Sequence, residues 1–126
     1  MKSIRLYPKI EELHRLNDFF QKEFNLNDKE IRLIIEEVFV NICNYSECSY
    51  IITCFELEND RLTIKFTDDG FEFNPLIVES PELPDNIDEA KIGGLGIYLV
   101  KELADEQYYE YKDNKNHLTI IKNVKK

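Results

Sequence analysis

The chain contains the stretch KIGGLGIYLVK at residues 91–101, and three of its four glycines lie within it. Glycine has no Cβ and adopts positive φ angles freely, at an entropic cost, so a cluster of glycines is typical of tight turns and ligand cradles. The residues after the cluster predict a helix over about 94–104. Unpaired N–H groups and the positive end of the helix dipole favour an anion there, above all a phosphate. Close helix packing would require the same glycines, so both interpretations stay open at this point.

The fourth glycine, Gly70, closes the sequence Asp68-Asp69-Gly70 after an apolar segment with the pattern of a strand. An acid at the end of a strand is able to accept a hydrogen bond from the amino group of a purine base in a pocket with apolar walls. An ordinary turn, in which an aspartate binds nearby backbone N–H groups, has the same sequence pattern. The glycines therefore predict two places where the backbone closely approaches another group.

A polar stripe lies on the helix predicted after residue 28. Its members are spaced i, i+4, i+7 and i+8, which places them on one helix face: Glu37, Asn41, Asn44 and Tyr45. A carboxylate and a carboxamide one turn apart suit a hydrated Mg²⁺ ion that substrate phosphates complete. A carboxylate beside that ion is able to orient a water or accept a hydroxyl proton. A solvated polar helix face is the alternative explanation of this spacing.

Composition narrows the functional classes. The 126 residues, 43% of them hydrophobic, predict one domain over 1–126. The net charge of −9 disfavours nucleic acid and anionic membranes as partners, because both bind basic surfaces. No apolar run reaches transmembrane length and no signal peptide is evident, so we expect a cytoplasmic protein. Cys43, Cys48 and Cys54 lack the spacing of a metal site, and we expect all three to be thiols in a reducing cytoplasm.

Hydrophobic periodicity predicts the order strand, helix, helix, two strands, long loop, helix, two strands. The predicted strands are Ser3–Tyr7, Tyr50–Leu57, Leu62–Thr67, Glu106–Lys112 and His117–Asn123. One predicted helix begins near Ile10, a second follows a capping box at Asn27–Glu30, and a third begins at Gly94. Hairpins between neighbouring strands predict a mixed, mainly antiparallel sheet with helices on one face, an α+β two-layer sandwich.

Three segments taken together resemble the N, G1 and G2 boxes of the ATPase superfamily that includes gyrase, Hsp90, histidine kinases and MutL. They are EEVFVN at residues 36–41, DDGFEFNP at 68–75 and GGLGIYLVK at 93–101. Their order and spacing are most similar to those of the small stand-alone anti-sigma-factor serine/threonine kinases of bacteria. The resemblance extends to the final strand, NHLTIIK at 116–122, and so covers essentially the whole chain. It implies a histidine-kinase-like ATPase domain with the Bergerat-type ATP-binding fold.

The resemblance also implies a role for each matching residue. Glu37 corresponds to the general base, and Asn41 to the Mg²⁺ ligand, with Asn44 in the same nucleotide site. Asp68 corresponds to the acid that recognises adenine, with Gly70 beside it. The implied phosphate contacts are Gly93, Gly94, Leu95 and Gly96, the implied hydroxyl near adenine is that of Thr119, and the implied ATP lid covers residues 76–92.

The function implied by the resemblance is that of an anti-sigma factor that uses ATP and Mg²⁺ to phosphorylate an anti-anti-sigma (STAS) protein. A sigma factor would be the second partner, and relatives suggest a homodimer. The alternative is a regulatory module that binds ATP or ADP and a protein partner without phosphotransfer. A histidine kinase fragment would need a phosphoacceptor histidine on a helical hairpin, a context that His14 lacks. Tyr45 stands where many relatives carry histidine, which leaves the details of substrate and partner open.

Overall fold

The computed structural model describes residues 1–74 and 94–124, with the backbone alone for residues 94–98. The predicted lid, residues 76–92, lies outside the described residues. The described helices are α1 (Leu13–Phe24), which follows a 3₁₀ turn at Ile10–Glu12, α2 (Lys29–Tyr45) and α3 (Gly94–Leu103). The described strands are β1 (Lys2–Leu6), β2 (Ile51–Glu58), β3 (Arg61–Asp68), β4 (Glu106–Lys112) and β5 (Lys115–Asn123).

The five strands form one sheet in the order β1-β2-β3-β5-β4. All four pairings among the described strands are antiparallel, so the prediction of a mainly antiparallel sheet is confirmed and no parallel pair is present among them. Helices α1 and α2 pack together, and α3 packs against α2. The predicted α+β two-layer sandwich is therefore the fold of this chain.

Both hairpins turn through two residues in the left-handed region. In the β2–β3 turn Asn59 and Asp60 have φ angles of 50° and 65°, and in the β4–β5 turn Asp113 and Asn114 have φ angles of 57° and 61°. Such turns match the right-handed twist of the flanking strands, and Asn and Asp tolerate them best after Gly. The second turn is tighter than the predicted one over 113–116. Strand β5 consequently begins at Lys115 rather than His117, and Asn116 lies inside the sheet.

The core lies between α2 and the helix-facing side of the sheet. The apolar stripe of α2 is almost fully buried, as its spacing predicted: Ile31, Ile34, Ile35, Val38 and Ile42. Strand β3 contributes alternate residues to the same core, namely Leu62, Ile64 and Phe66. The rings of Phe20 in α1 and Phe55 in β2 lie 4.9 Å apart, which joins α1 to the sheet. This packing holds the C-terminal half of α2 beside the end of β3, where the candidate site lies.

The N-terminus of α2 is capped by one side chain. Asp28 accepts hydrogen bonds from the backbone N–H groups of Glu30 at 2.9 Å and Ile31 at 3.2 Å. The predicted capping box was wrong, because the helix begins at Lys29 and Glu30 is then its second residue rather than its third. The Glu30 carboxylate pairs instead with Nζ of Lys122, 2.9 Å away. Lys122 also donates a 2.9 Å hydrogen bond to the carbonyl oxygen of Leu103, so this nearly buried lysine connects the start of α2 to the end of α3.

We expect Asp28→Ala to lower the free energy of unfolding by about 1 kcal/mol, the usual cost of losing a helix N-cap. The physical reason is that two backbone N–H groups lose their acceptor and the first turn loses a favourable negative charge. Urea unfolding followed by circular dichroism measures the change. Asn27→Ala removes a neighbouring exposed side chain that caps nothing and serves as the control. Equal costs for the two variants would contradict the assignment of the cap.

None of the helices in the described part of the chain is long and apolar enough to cross a membrane.

Candidate functional site

The carboxylate of Asp68 is the centre of a buried hydrogen-bond network at the end of β3. Its Oδ1 accepts bonds from the Ser46 hydroxyl, from the N–H of Gly70 at 2.9 Å and from Nδ2 of Asn116 at 3.0 Å. The side chain is only 3% exposed. Within the described residues every hydrogen bond to this carboxylate falls on Oδ1. Oδ2 therefore accepts no hydrogen bond from the described residues.

Asp69, the next residue, has a structural role. Its carboxylate accepts hydrogen bonds from the N–H groups of Ser49 at 2.7 Å and Tyr50 at 3.2 Å, and from the Ser49 hydroxyl. Desolvation alone would raise the pKa of this carboxyl, but the bonds from Ser49 and Tyr50 outweigh it and lower the pKa. The two adjacent acids thus differ: Asp69 anchors the segment before β2, whereas Oδ2 of Asp68 accepts no hydrogen bond from the described residues.

Gly70 is glycine because α2 ends directly against it. An ideal Cβ on Gly70 would lie 2.9 Å from the carbonyl carbon of Ser46, and closer still to the Oγ and O atoms of that residue. Real Cβ atoms essentially never approach other atoms so closely. The N–H of Phe71 also donates a 3.3 Å bond to the Ser46 carbonyl oxygen. The predicted close approach at Gly70 is confirmed, and the group it approaches is the end of α2.

Asn116 completes the network, and the sequence analysis missed it. It pairs with Asp68 across β3 and β5 and is 4% exposed. Its Nδ2 donates to Asp68 and to the carbonyl oxygen of Phe71 at 2.8 Å, while its Oδ1 accepts from the N–H of Phe73 at 2.9 Å and from the Tyr109 hydroxyl at 2.5 Å. The sequence places an asparagine just after the hairpin, and only the register of β5 against β3 shows that it faces Asp68.

The polar stripe of α2 is unevenly exposed, and its most buried member is Asn41. Asn41 is 7% exposed, and its carboxamide oxygen is buried without a hydrogen-bond partner. Glu37, one turn earlier, is half buried, whereas Asn44 is exposed. Burial raises the pKa of the Glu37 carboxyl above its ordinary value, and the charge of Glu36 raises it further. A buried acceptor without a donor carries a desolvation cost, so Asn41 requires a partner from outside the described residues.

An aromatic wall stands beside the Asp68 network. The rings of Tyr45, at the end of α2, and Phe73 have their centroids 6.1 Å apart. Phe73 is held by the bond from its N–H to Asn116, so this wall belongs to the same constellation. Apolar and aromatic walls around a few fixed polar groups are typical of small-molecule sites.

The glycine cluster is described only in part. Gly94 and Gly96 lie in the first turn of α3, which begins at Gly94 as predicted. Gly93 lies outside the described residues, and so does the side chain of Leu95. Helix α3 packs on α2, so the same helix that carries Glu37 and Asn41 positions the glycine-rich helix.

Thr119 is not brought to the site. Along β5 the buried residues Leu118 and Ile120 face the core, and Thr119 lies between them on the other face of the sheet. It pairs with exposed Lys65 and lines a surface depression with Tyr108 and His117. The assignment of Thr119 to the adenine site was therefore wrong, because strands alternate faces with a period of two residues. Asn116, three residues earlier, occupies the position facing Asp68.

The donor set is compatible with Mg²⁺ bound together with phosphates. The described residues contain no cluster of three or more His, Cys, Asp or Glu side chains that could hold a metal ion alone. Mg²⁺ usually takes one or two protein oxygens and completes its shell with water and substrate phosphates. The buried and unpaired Oδ1 of Asn41 is a suitable oxygen of this kind.

Comparison with known proteins gives a consistent result. A family model described as "Histidine kinase-like ATPase domain" matches residues 10–122. Serine-protein kinase RsbW of Staphylococcus epidermidis is 36% identical over 85 residues, which are 64% of this chain and 53% of that protein. Serine/threonine-protein kinase BtrW of Bordetella bronchiseptica is 30% identical over 60 residues, which are 48% of this chain and 42% of that protein. The chain thus spans about half the length of the curated relatives it matches.

The fold has a counterpart among solved structures. The Acinetobacter baumannii histidine kinase AdeS superposes with a TM-score of 0.54 at 13% identity, covering 100% of this chain and 69% of that one. At this identity the likeness concerns the fold. The family model covers most of the chain, including the segments that carry Glu37, Asn41, Asp68 and Gly70. The chain belongs to the histidine kinase-like ATPase domain family.

Proposed function

We propose that this chain is a single nucleotide-binding domain, residues 1–126, that binds ATP or ADP with Mg²⁺ and transfers phosphate to a serine or threonine of a protein. The observation that carries the proposal is the pair on α2: a half-buried Glu37 with a raised pKa, one turn from a buried Asn41 whose oxygen has no partner. A carboxylate suited to accept a proton and an oxygen suited to a cation are what phosphoryl transfer to a hydroxyl requires.

The adenine end of the site is assigned to Asp68. Its Oδ2 is the acceptor that the network leaves open, and the exocyclic amino group of adenine is a matching donor. Gly70 brings the turn against Ser46, and the rings of Tyr45 and Phe73 form an apolar wall for a planar base. Apolar burial of the base and one directed hydrogen bond would together provide affinity and orientation.

The phosphate end is assigned to the first turn of α3. Gly94 and Gly96 lie there, and we assign Gly93 and the backbone of Leu95 to the same cradle. The positive end of the helix dipole and unpaired N–H groups favour the phosphates despite the acidic net charge of the chain. Mg²⁺, when bound, would neutralise phosphate charge, and Asn41 would hold it, with Asn44 exposed nearby on the same helix face.

The protein substrate is proposed to be an anti-anti-sigma protein with a STAS domain, with a sigma factor as the second partner. This proposal rests on the resemblance to anti-sigma-factor kinases and on the names of the relatives RsbW and BtrW, which are serine and serine/threonine protein kinases. Glu37 would accept the proton of the incoming hydroxyl. A homodimer in the cytoplasm, with residues 76–92 as the ATP lid, completes the proposal.

The test has two parts. Calorimetric titration with Mg-ADP is expected to show binding. Incubation with Mg-ATP and a STAS protein from the same organism is expected to give a phosphorylated serine or threonine, detected by intact-mass spectrometry. ADP binding without phosphotransfer would refute the kinase proposal and leave the regulatory module that binds nucleotide and partner without chemistry. Absence of ADP binding would refute both.

The pH dependence of phosphotransfer provides a further prediction. Only the ionised form of Glu37 accepts a proton, so the rate is expected to fall as the pH decreases through the raised pKa of this carboxyl. The charge of Glu36 contributes to the raised pKa, so Glu36→Gln should move the acid limb of kcat/KM to lower pH without changing the plateau. Glu56→Gln, an exposed acid on β2, is the control. A limb that stays in place in Glu36→Gln would contradict the assignment of Glu37.

A further inference from the structure

Asn116 uses both ends of its carboxamide, and each end holds a different part of the site. The donor end bridges the Asp68 carboxylate and the carbonyl oxygen of Phe71. The acceptor end takes the N–H of Phe73 and the hydroxyl of Tyr109. A side chain with a donor and an acceptor at fixed separation is needed for this, which serine, leucine or aspartate cannot provide.

The bond from Asn116 helps to fix the orientation of the Asp68 carboxylate. Three donors converge on Oδ1, from Ser46, Gly70 and Asn116, and together they fix the rotation of the carboxylate. Ser46 and Gly70 reach it from the α2 side and from its own turn, whereas Asn116 reaches it from the neighbouring strand. Without Asn116 the carboxylate would lose its only donor from β5, its plane could rotate, and Oδ2 would no longer be held in one direction. A fixed Oδ2 is a pure acceptor.

We propose that Asn116 is the positioning residue that makes the site selective for a 6-amino purine over a 6-oxo purine. This inference rests on the proposed nucleotide-binding function. A fixed acceptor at Oδ2 pairs with the amino group of adenine, whereas the 6-oxo group of hypoxanthine would present an acceptor to an acceptor. Sites built to hydrogen-bond one group reject analogues that leave a buried polar atom unpaired, and the rejection is much stronger than that due to shape alone.

The test compares the affinities for Mg-ADP and Mg-IDP, the inosine nucleotide, by calorimetric titration. The wild type is expected to prefer ADP. In Asn116→Ser both nucleotides lose the support that Asn116 gives to Phe73, but only ADP loses a fixed acceptor for its amino group, so the ratio of the ADP affinity to the IDP affinity should fall about tenfold. Asn116→Asp keeps the size and the acceptor end but places a second carboxylate beside Asp68, and is expected to reduce the ratio as well. This variant serves if the serine variant does not fold.

Tyr109→Phe is the matched control. It removes one donor to the acceptor end of Asn116 but leaves the bond to Asp68, so stability is expected to fall while the ADP/IDP ratio stays within about twofold of the wild type. Equal losses of ADP and IDP affinity in the Asn116 variants, or a lower melting temperature with an unchanged ratio, would mean a purely structural role and overturn the inference. A wild type that binds neither nucleotide would overturn the proposed function itself.

Discussion

Replacing Glu37 with glutamine is expected to lower the rate of phosphotransfer about 10²–10⁴-fold, the usual contribution of a general base. Glutamine keeps the shape of the side chain and removes its ability to accept a proton. Glu37 is half buried and lies one helical turn from Asn41, so the change leaves the Asp68 network and the glycine-rich helix as they are. The affinity for Mg-ADP should therefore stay within about twofold of the wild type.

The measurement is a single-turnover assay with saturating Mg-ATP and the STAS protein, with calorimetric titration of ADP in parallel. Glu36→Gln, which changes the adjacent and exposed carboxylate, should retain the rate at neutral pH. If Glu37→Gln transferred phosphate at the wild-type rate, the carboxylate would not be the base. If it lost ADP binding to the same extent as phosphotransfer, Glu37 would contribute to binding rather than to proton transfer.

Gly70→Ala is expected to have the largest effect on the fold around the site. Its Cβ would overlap Ser46, including the backbone carbonyl group at the end of α2, which cannot rotate away. Overpacking of this kind typically costs about 1–3 kcal/mol in the free energy of unfolding, and a backbone obstacle favours the upper end. The turn would have to move away from α2, which would break the bonds of Asp68 to Ser46 and Gly70. Affinity for Mg-ADP should therefore fall along with stability.

Urea unfolding and ADP titration measure both effects. Ser46→Gly alone removes the hydroxyl bond to Asp68 and is the control for loss of that bond. The double variant Ser46→Gly, Gly70→Ala still has the carbonyl group in place, so it should remain as unstable as Gly70→Ala or more so. Recovery of wild-type stability in the double variant would show that the hydroxyl was the only obstacle.

Much of the fold was predictable because its elements depend on local patterns. The apolar stripe of α2 has helical spacing, and all of its predicted members are buried. Hairpin turns rich in Asn and Asp marked where neighbouring strands pair. The cap of α2 was displaced by one residue, since Asn27 and Asp28 are both good capping residues and the local sequence does not decide between them.

The site was predictable only in part, because its contacts depend on register between distant strands. The close approach at Gly70 was predicted, but the group that Gly70 and Asp68 both contact, Ser46, follows from the packing of α2. Thr119 was expected near the adenine, whereas Asn116 is the residue of β5 that lies opposite Asp68. A hairpin turn two residues long instead of four moves Asn116 into β5, and the pairing with β3 then places it opposite Asp68.

In the short motif Asp68-Asp69-Gly70, the glycine and the first aspartate are needed for different reasons, as the contact between Gly70 and Ser46 shows. The glycine is required by the end of α2, through a contact in which no ligand takes part. The acid two residues earlier accepts the N–H of Gly70, but this bond does not depend on a close steric approach to the end of α2. During divergence a chain that lost its ligand could therefore exchange Asp68 and still retain Gly70. In a search for relatives the glycine would then mark shared architecture, while the aspartate would mark shared chemistry.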